Sequence, residues 1–155
     1  MQVELVGVGK VLASKMRRVS QTKFSIFFAD GRRLTYGNCL VACVASILDE
    51  SIDEVPNVYT FYGMEDRENK TVEDPMWMRV LNLWMENKHK KRISIKDKSQ
   101  PTEEEHVIMR GLSLRGHPHC CIFKNEGGDL VPFFDPHPTS QFIKEHHYYY
   151  SIEKI

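Results

Sequence analysis

A cysteine that opens a hydrophobic helix is a candidate nucleophile, and Gly37-Asn38-Cys39 leads into such a helix. A thiol in the first turn meets unpaired backbone N–H groups and the positive end of the helix dipole, both of which favour thiolate over thiol. A thiol acyl-transfer site also needs a base that exchanges the thiol proton and an acceptor that fixes the tautomer of that base. His119 starts the apolar run His119-Cys120-Cys121-Ile122-Phe123, and Asp135 ends Phe133-Phe134-Asp135. The stretch Asn125-Glu126-Gly127-Gly128 between them predicts a hairpin turn, which brings His119 and Asp135 to the same open end of two antiparallel strands. Cys39, His119 and Asp135 are therefore the candidate nucleophile, base and orienter.

Plainer roles compete at each position. A helical cysteine on its own is more often a small core residue, which is the role expected for Cys43, one turn further into the helix. His117 lies two residues before His119, on the same side of a regular strand, and is the rival base; Pro118 interrupts that register and favours His119. His137 reads as a turn residue lining a substrate cleft, and Asn38 and His117 are the other candidate substrate contacts. A zinc site built from His119, Cys120, Cys121 and His137 is disfavoured, because adjacent cysteines on a strand point to opposite faces and no C-x-x-C pair occurs. No metal and no cofactor is expected.

The elements that must position these residues follow from hydrophobic period and turn chemistry. Leu40, Val44, Ile47 and Leu48 repeat at helical spacing, so a buried helix runs from Cys39 to near Asp49-Glu50, with Asn38 as its N-cap. Ser51-Ile52-Asp53-Glu54 has the spacing of a capping box, and Pro56 limits the turn that follows. A polar loop over 63–74 precedes a second helix with Pro75 at its first position and a stripe of Trp77, Val80, Leu81, Trp84 and Met85. Its end carries Lys88, Lys90 and Lys91. Upstream, Val3 and Leu5 alternate as in a strand, and Phe24–Phe28 turns through Asp30-Gly31 into a return strand over Arg32–Tyr36. Downstream, short strands are predicted over 92–96, 106–111, 119–124 and 130–134, with one more in the tail 146–150; Pro132 marks an edge or a bulge. Helices first and most of the sheet second predict an α+β fold in a single domain, 1–155, with 1–20 and 23–36 as an N-terminal β extension and insertion.

Composition narrows the function classes. The chain has 155 residues, 41% hydrophobic and 27% charged, with 21 Lys plus Arg against 21 Asp plus Glu. A neutral chain has no global field to gather nucleic acid, and the basic run Lys88–Lys98 is better explained as a solvated helix end. No segment approaches the ~20 apolar residues of a membrane span, and Glu4 stands where a secretory leader would be basic. Four cysteines without such a leader read as thiols in a reducing, cytoplasmic setting.

Taken together, Gln21, Gly37-Asn38-Cys39-Leu40, Ala42-Cys43, Ala45-Ser46-Ile47-Leu48, Asp53-Glu54-Val55-Pro56-Asn57, Ser113, Arg115-Gly116, His119 and Asp135-Pro136-His137-Pro138 resemble the papain-like proteins of bacteria and bacteriophages related to the C39-type cysteine peptidases. The resemblance spans roughly 20–138. It implies a papain-like fold with Cys39 at the head of a central helix packed on an antiparallel sheet. It also implies that Gln21 supplies the oxyanion hole, Cys39 is the nucleophile, His119 the general base and acid, and Asp135 its orienter. The expected activity is thiol-dependent hydrolysis of a peptide or isopeptide amide in a protein substrate. The same constellation serves deamidation, transamidation and acyl transfer, and a third expectation is a non-catalytic accessory protein that binds a host factor through the basic 88–98 segment and the acidic 63–74 loop.

Overall fold

A computed structural model of the chain describes residues 16–27, 29–30, 33–35, 37–58 and 75–155. The strand expected around Val3 and Leu5 and the polar loop over 63–74 lie outside the described residues, as do Phe28, Gly31, Arg32 and Tyr36 of the expected first hairpin. What is described of that hairpin is β1 (Ile26–Phe27) paired antiparallel with β2 (Arg33–Thr35).

Helix α1 spans Cys39–Leu48 and is buried on nearly every side, Ile47 being its one half-exposed residue. The reason is compositional: its ten residues include no charge and one hydroxyl, so no face prefers water. Ser46, the hydroxyl, is satisfied by donating to the Ala42 carbonyl at 2.8 Å and accepting from the Val19 N–H at 3.0 Å. The second bond, with Arg17 N–H on the Ser46 carbonyl at 3.0 Å, lays residues 17–19 along the helix. The helix ends where Asp49 takes a left-handed conformation, φ 56°.

The Ser51–Glu54 capping box does not form. Ser51 makes no side-chain cap, and Ile52–Glu54 is a single 3₁₀ turn. Pro56 is the cause, since it holds Val55 extended at φ −87°, ψ 135° and leaves room for one turn only. Helix α2 spans Met76–His89, with Pro75 one place earlier than expected, at the N-cap. Trp77, Met78, Leu81 and Met85 are buried, while Trp84 is half-buried at the margin beside Lys88 and His89.

The remaining strands are β3 (Lys91–Asp97), β4 (His106–Ser113), β5 (Pro118–Glu126), β6 (Asp129–Phe134) and β7 (Ile143–Lys154). They form one five-stranded antiparallel sheet in the order β3-β7-β4-β5-β6. The tail is thus no appendage: β7 is a twelve-residue strand inserted between β3 and β4. Gly127 and Gly128, both at positive φ, close the β5–β6 turn. Pro132 sits on the edge strand β6 beside a register slip between Ile122 and Phe123, so both readings of that proline hold.

Strand alternation divides the core. Ile93, Ile108, Cys120, Ile122, Tyr150 and Ile152 face α1 and α2 and merge with their apolar residues. Val107, Met109, Cys121, Phe123 and Tyr149 form a smaller cluster on the other face. The architecture is α+β, and no helix among the described residues is long and apolar enough to cross a membrane.

Candidate active site

Cys39 is the first residue of α1, and Asn38 stands at the N-cap position, but the Asn38 side chain does not cap. Instead its Oδ1 accepts from the N–H groups of Thr22 and Lys23 at 3.0 and 2.9 Å, and its Nδ2 donates to Thr22 Oγ1 at 3.0 Å. Asn38 is 2% exposed and does not line the cleft, so the expected N-cap and substrate contacts give way to a positioning role. It ties Thr22 and Lys23 across the helix start and makes no cap hydrogen bond to the first N–H groups. Gly37 permits the close approach: a Cβ there would lie 3.1 Å from the Lys23 carbonyl and 3.3 Å from Gln21 Nε2.

Gln21 is carried over the helix start by this strap and lines the same cleft as Cys39. Its Nε2 donates to the Lys23 carbonyl at 2.9 Å, which fixes the orientation of the amide, because the opposite orientation would set two oxygens against each other. The second Nε2 hydrogen remains for another acceptor.

Opposite, His119 is the second residue of β5 and Asp135 follows the last residue of β6. His119 Nε2 meets Asp135 Oδ1 at 2.7 Å, with the residues 3% and 4% exposed. Asp135 also accepts the His137 N–H on Oδ1 at 2.9 Å and the Phe142 N–H on Oδ2 at 2.8 Å. Burial opposes its ionisation, yet the hydrogen bond and charge of His119 and these two N–H groups hold its carboxyl below the usual value. Burial likewise opposes charge on His119, but its hydrogen bonds with Asp135 and Cys39 raise its pKa to about 9. Since Nε2 is engaged by the carboxylate, Nδ1 is the nitrogen left for the thiol.

The head of the helix does not leave the Cys39 thiol easy to ionise: a hydrogen bond with Cys120, and then burial, push it well above its ordinary value against the downward pull of His119. Cys39 is 8% exposed, with its small opening into the cleft. The proton therefore has to leave as a shared property of the Cys39–His119 pair. Cys43 and Cys121 are raised by burial and lie in the packing, on different faces of the fold.

The cleft has a volume of about 130 Å³. His117 lines it, but it is His119 that meets Asp135. His137 also lines it, edge-on to His119 at 6.1 Å and to Phe24 at 5.3 Å. The Thr139 N–H donates to His137 Nδ1 at 3.2 Å, which puts the proton of the neutral ring on Nε2. Among the described residues no three His, Cys, Asp or Glu side chains converge as a metal requires.

Sequence reasoning missed Arg110 and Cys120. Arg110 lines the cleft and donates from Nη1 to Cys120 Sγ at 3.6 Å. Its signal was present: in Ile108-Met109-Arg110 it shares the parity of Ile108, so one cation occupies an inward position of an apolar strand. The basic segment is largely paired, with Lys88 on Glu50 at 2.8 Å, Lys96 on Glu153 at 3.2 Å and Arg92 on Glu86.

A scan against protein-family models gave no match, and comparisons with curated proteins and with solved structures gave none either.

Proposed function

We propose that this cleft is a thiol acyl-transfer site and that the chain is a papain-like cysteine hydrolase acting on a peptide or isopeptide amide. The observation that carries the reading is the buried His119–Asp135 pair, 2.7 Å apart, with its imidazole in the same cleft as the Cys39 thiol at a helix start that Asn38 does not cap. The step starts from the neutral His119 ring, the minor form below its pKa of about 9: Cys39 Sγ attacks the amide carbon as its proton passes to His119 Nδ1, and Asp135 holds the resulting imidazolium through Nε2. The oxyanion lies between the Cys39 backbone N–H and the second hydrogen of Gln21 Nε2. Collapse breaks the C–N bond, and His119 returns the proton to the departing amine. Water, deprotonated by His119, then hydrolyses the thioester and restores the thiol.

A deamidase acting on a side-chain amide is the second reading, and the cleft size favours it. At about 130 Å³ the cleft is smaller than the ~300–1,000 Å³ of sites that enclose drug-sized ligands, and it suits one side chain better than a length of extended peptide.

Limited alkylation with iodoacetamide, followed by peptide mapping, tests the nucleophile. Cys39 is expected to be labelled before Cys43, Cys120 and Cys121, whereas first labelling of Cys43 or Cys121 overturns the assignment. Mass analysis of proteins from a treated host lysate then separates the reactions: new fragments mean peptide hydrolysis, the small gain from amide to acid means deamidation, and an adduct means transfer.

A further inference from the structure

The described lining of the cleft that contains Cys39 includes two arginines and no acid, while burial holds His137 below its ordinary value and neutral. Arg110, Arg115, His117, His119 and His137 all face the cleft, in a chain whose formal net charge is zero. The Asp135 carboxylate stands behind His119 with both oxygens engaged. Low-dielectric walls concentrate such a local imbalance.

Arg110 is the member that fold stability does not explain. It lies at an inward position of β4, with Cys120 and Tyr148 as its cross-strand neighbours. Its guanidinium stays charged and presents a fork of N–H donors. Among the described residues the fork makes one hydrogen bond, to the Cys120 sulfur at 3.6 Å, a weak acceptor, and forms no ion pair. Arg110 is half-buried, so its guanidinium gives up part of its water without gaining a carboxylate, and a planar fork of this kind matches a carboxylate with two parallel hydrogen bonds. Arg115, held by Nη1 on Thr139 Oγ1 at 3.1 Å, adds a second positive charge at the rim.

We propose that Arg110, assisted by Arg115, receives a carboxylate of the substrate, so that the amide cleaved at Cys39 lies next to an acidic group. This rests on the thiol acyl-transfer reading and supplies what that reading lacks, the chemical class of the substrate. The carboxylate comes either from an Asp or Glu side chain or from the free end of a chain.

The probes are two thiol reagents of similar size, one anionic and one neutral. The ratio of iodoacetate to iodoacetamide rates at Cys39 is measured by mass spectrometry and divided by the same ratio for free cysteine. A value well above one is expected, falling selectively for iodoacetate as salt is raised, because screening weakens only the charged encounter. Arg110→Gln is expected to lower the ratio about tenfold, with Arg110→Lys between it and the parent, since charge survives and the fork does not. The share contributed by the His119 imidazolium persists in both variants and is thereby separated. A ratio near one in the parent protein, or an Arg110→Gln change that slows both reagents equally, overturns the proposal; equal slowing would mean that Arg110 acts on the thiol. The parent ratio and its salt dependence need no variant, so a misfolded Arg110→Gln does not remove the test. Protection of Cys39 from iodoacetamide by N-acetylglycylglycine points to a chain terminus, and protection by N-acetylaspartic α-amide to an acidic side chain; protection by neither counts against the proposal. If iodoacetamide labels another cysteine first, the thiol reading fails; if Cys39 is labelled first without an anionic preference, the carboxylate proposal fails alone.

Discussion

Gln21 is held at two points: its backbone N–H donates to the Pro136 carbonyl at 3.0 Å, and its side-chain Nε2 donates to the Lys23 carbonyl at 2.9 Å. Among the described residues its Oε1 is buried with no hydrogen-bond partner. An amide fixed by one hydrogen and open at the other is preorganised for an oxyanion, and removal of one such donor costs ~10²–10³ in turnover in comparable sites. Gln21→Ala is expected to lower turnover of any amide substrate by that order while Cys39 remains the first thiol labelled by iodoacetamide. If turnover is unchanged, the oxyanion role passes to backbone donors alone. Cys39 itself illustrates how two local influences conflict. The open helix start favours thiolate, but the hydrogen bond with Cys120 and burial outweigh it, and His119 is needed to take the proton.

At the level of elements, the site depends on how β7 fits into the sheet. Register shifts interrupt the β4–β7 pairing between Arg110 and Gly111 and again between Leu112 and Ser113. A Cβ at Gly111 would fall 1.9 Å from the Glu145 carbonyl oxygen and 2.7 Å from the Ile143 side chain, so backbone would have to move. Gly111→Ala is expected to destabilise the protein by ~1–3 kcal/mol, read from its urea midpoint, with a shift of the neighbouring Arg110 and of His119, which pairs with Gly111 across β5. A variant as stable as the parent would show that β7 tolerates displacement. The other edge is fixed from the helix side: Asn82 of α2 donates to the Ile93 carbonyl at 3.1 Å and accepts the Ile93 N–H at 2.8 Å.

For the molecule as a whole, the His119–Asp135 pair links stability to pH. His119 binds its proton more tightly when folded, with a pKa of about 9 against an ordinary 6.5, so its contribution is complete below pH 6.5 and is lost as pH climbs through about 9. Asp135 has the opposite sign: its carboxyl is lowered by folding, so its contribution is present above 3.8 and is lost as pH falls through the depressed value. Urea midpoints measured between pH 6 and 9.5 should fall across that window. In Asp135→Asn the His119 titration, followed by imidazole NMR, should move to lower pH and the fall in stability should move with it. A flat profile in the parent, or a His119 midpoint below 7, would remove the buried ion pair from the account.

Much of this was legible in order along the chain. The uncharged run Cys39–Leu48 specifies a buried helix beginning at Cys39, the Gly127-Gly128 turn specifies the β5–β6 hairpin, and together they place His119 and Asp135 at one end, because periodicity and turn chemistry are short-range properties. Other features depended on segments far apart in sequence. Nothing near Ile143–Lys154 tells that it pairs between β3 and β4, and nothing near Asn38 tells that Thr22 and Lys23 will take its side chain from the helix cap. The Cys120 sulfur that suppresses ionisation of Cys39, and the inward Arg110 that gives the cleft its charge, acquire those effects only through cross-strand register. Sequence determined which groups exist and the local elements that carry them; tertiary structure decided which meet, because hydrogen bonding and electrostatics act across distances in space that chain separation does not encode.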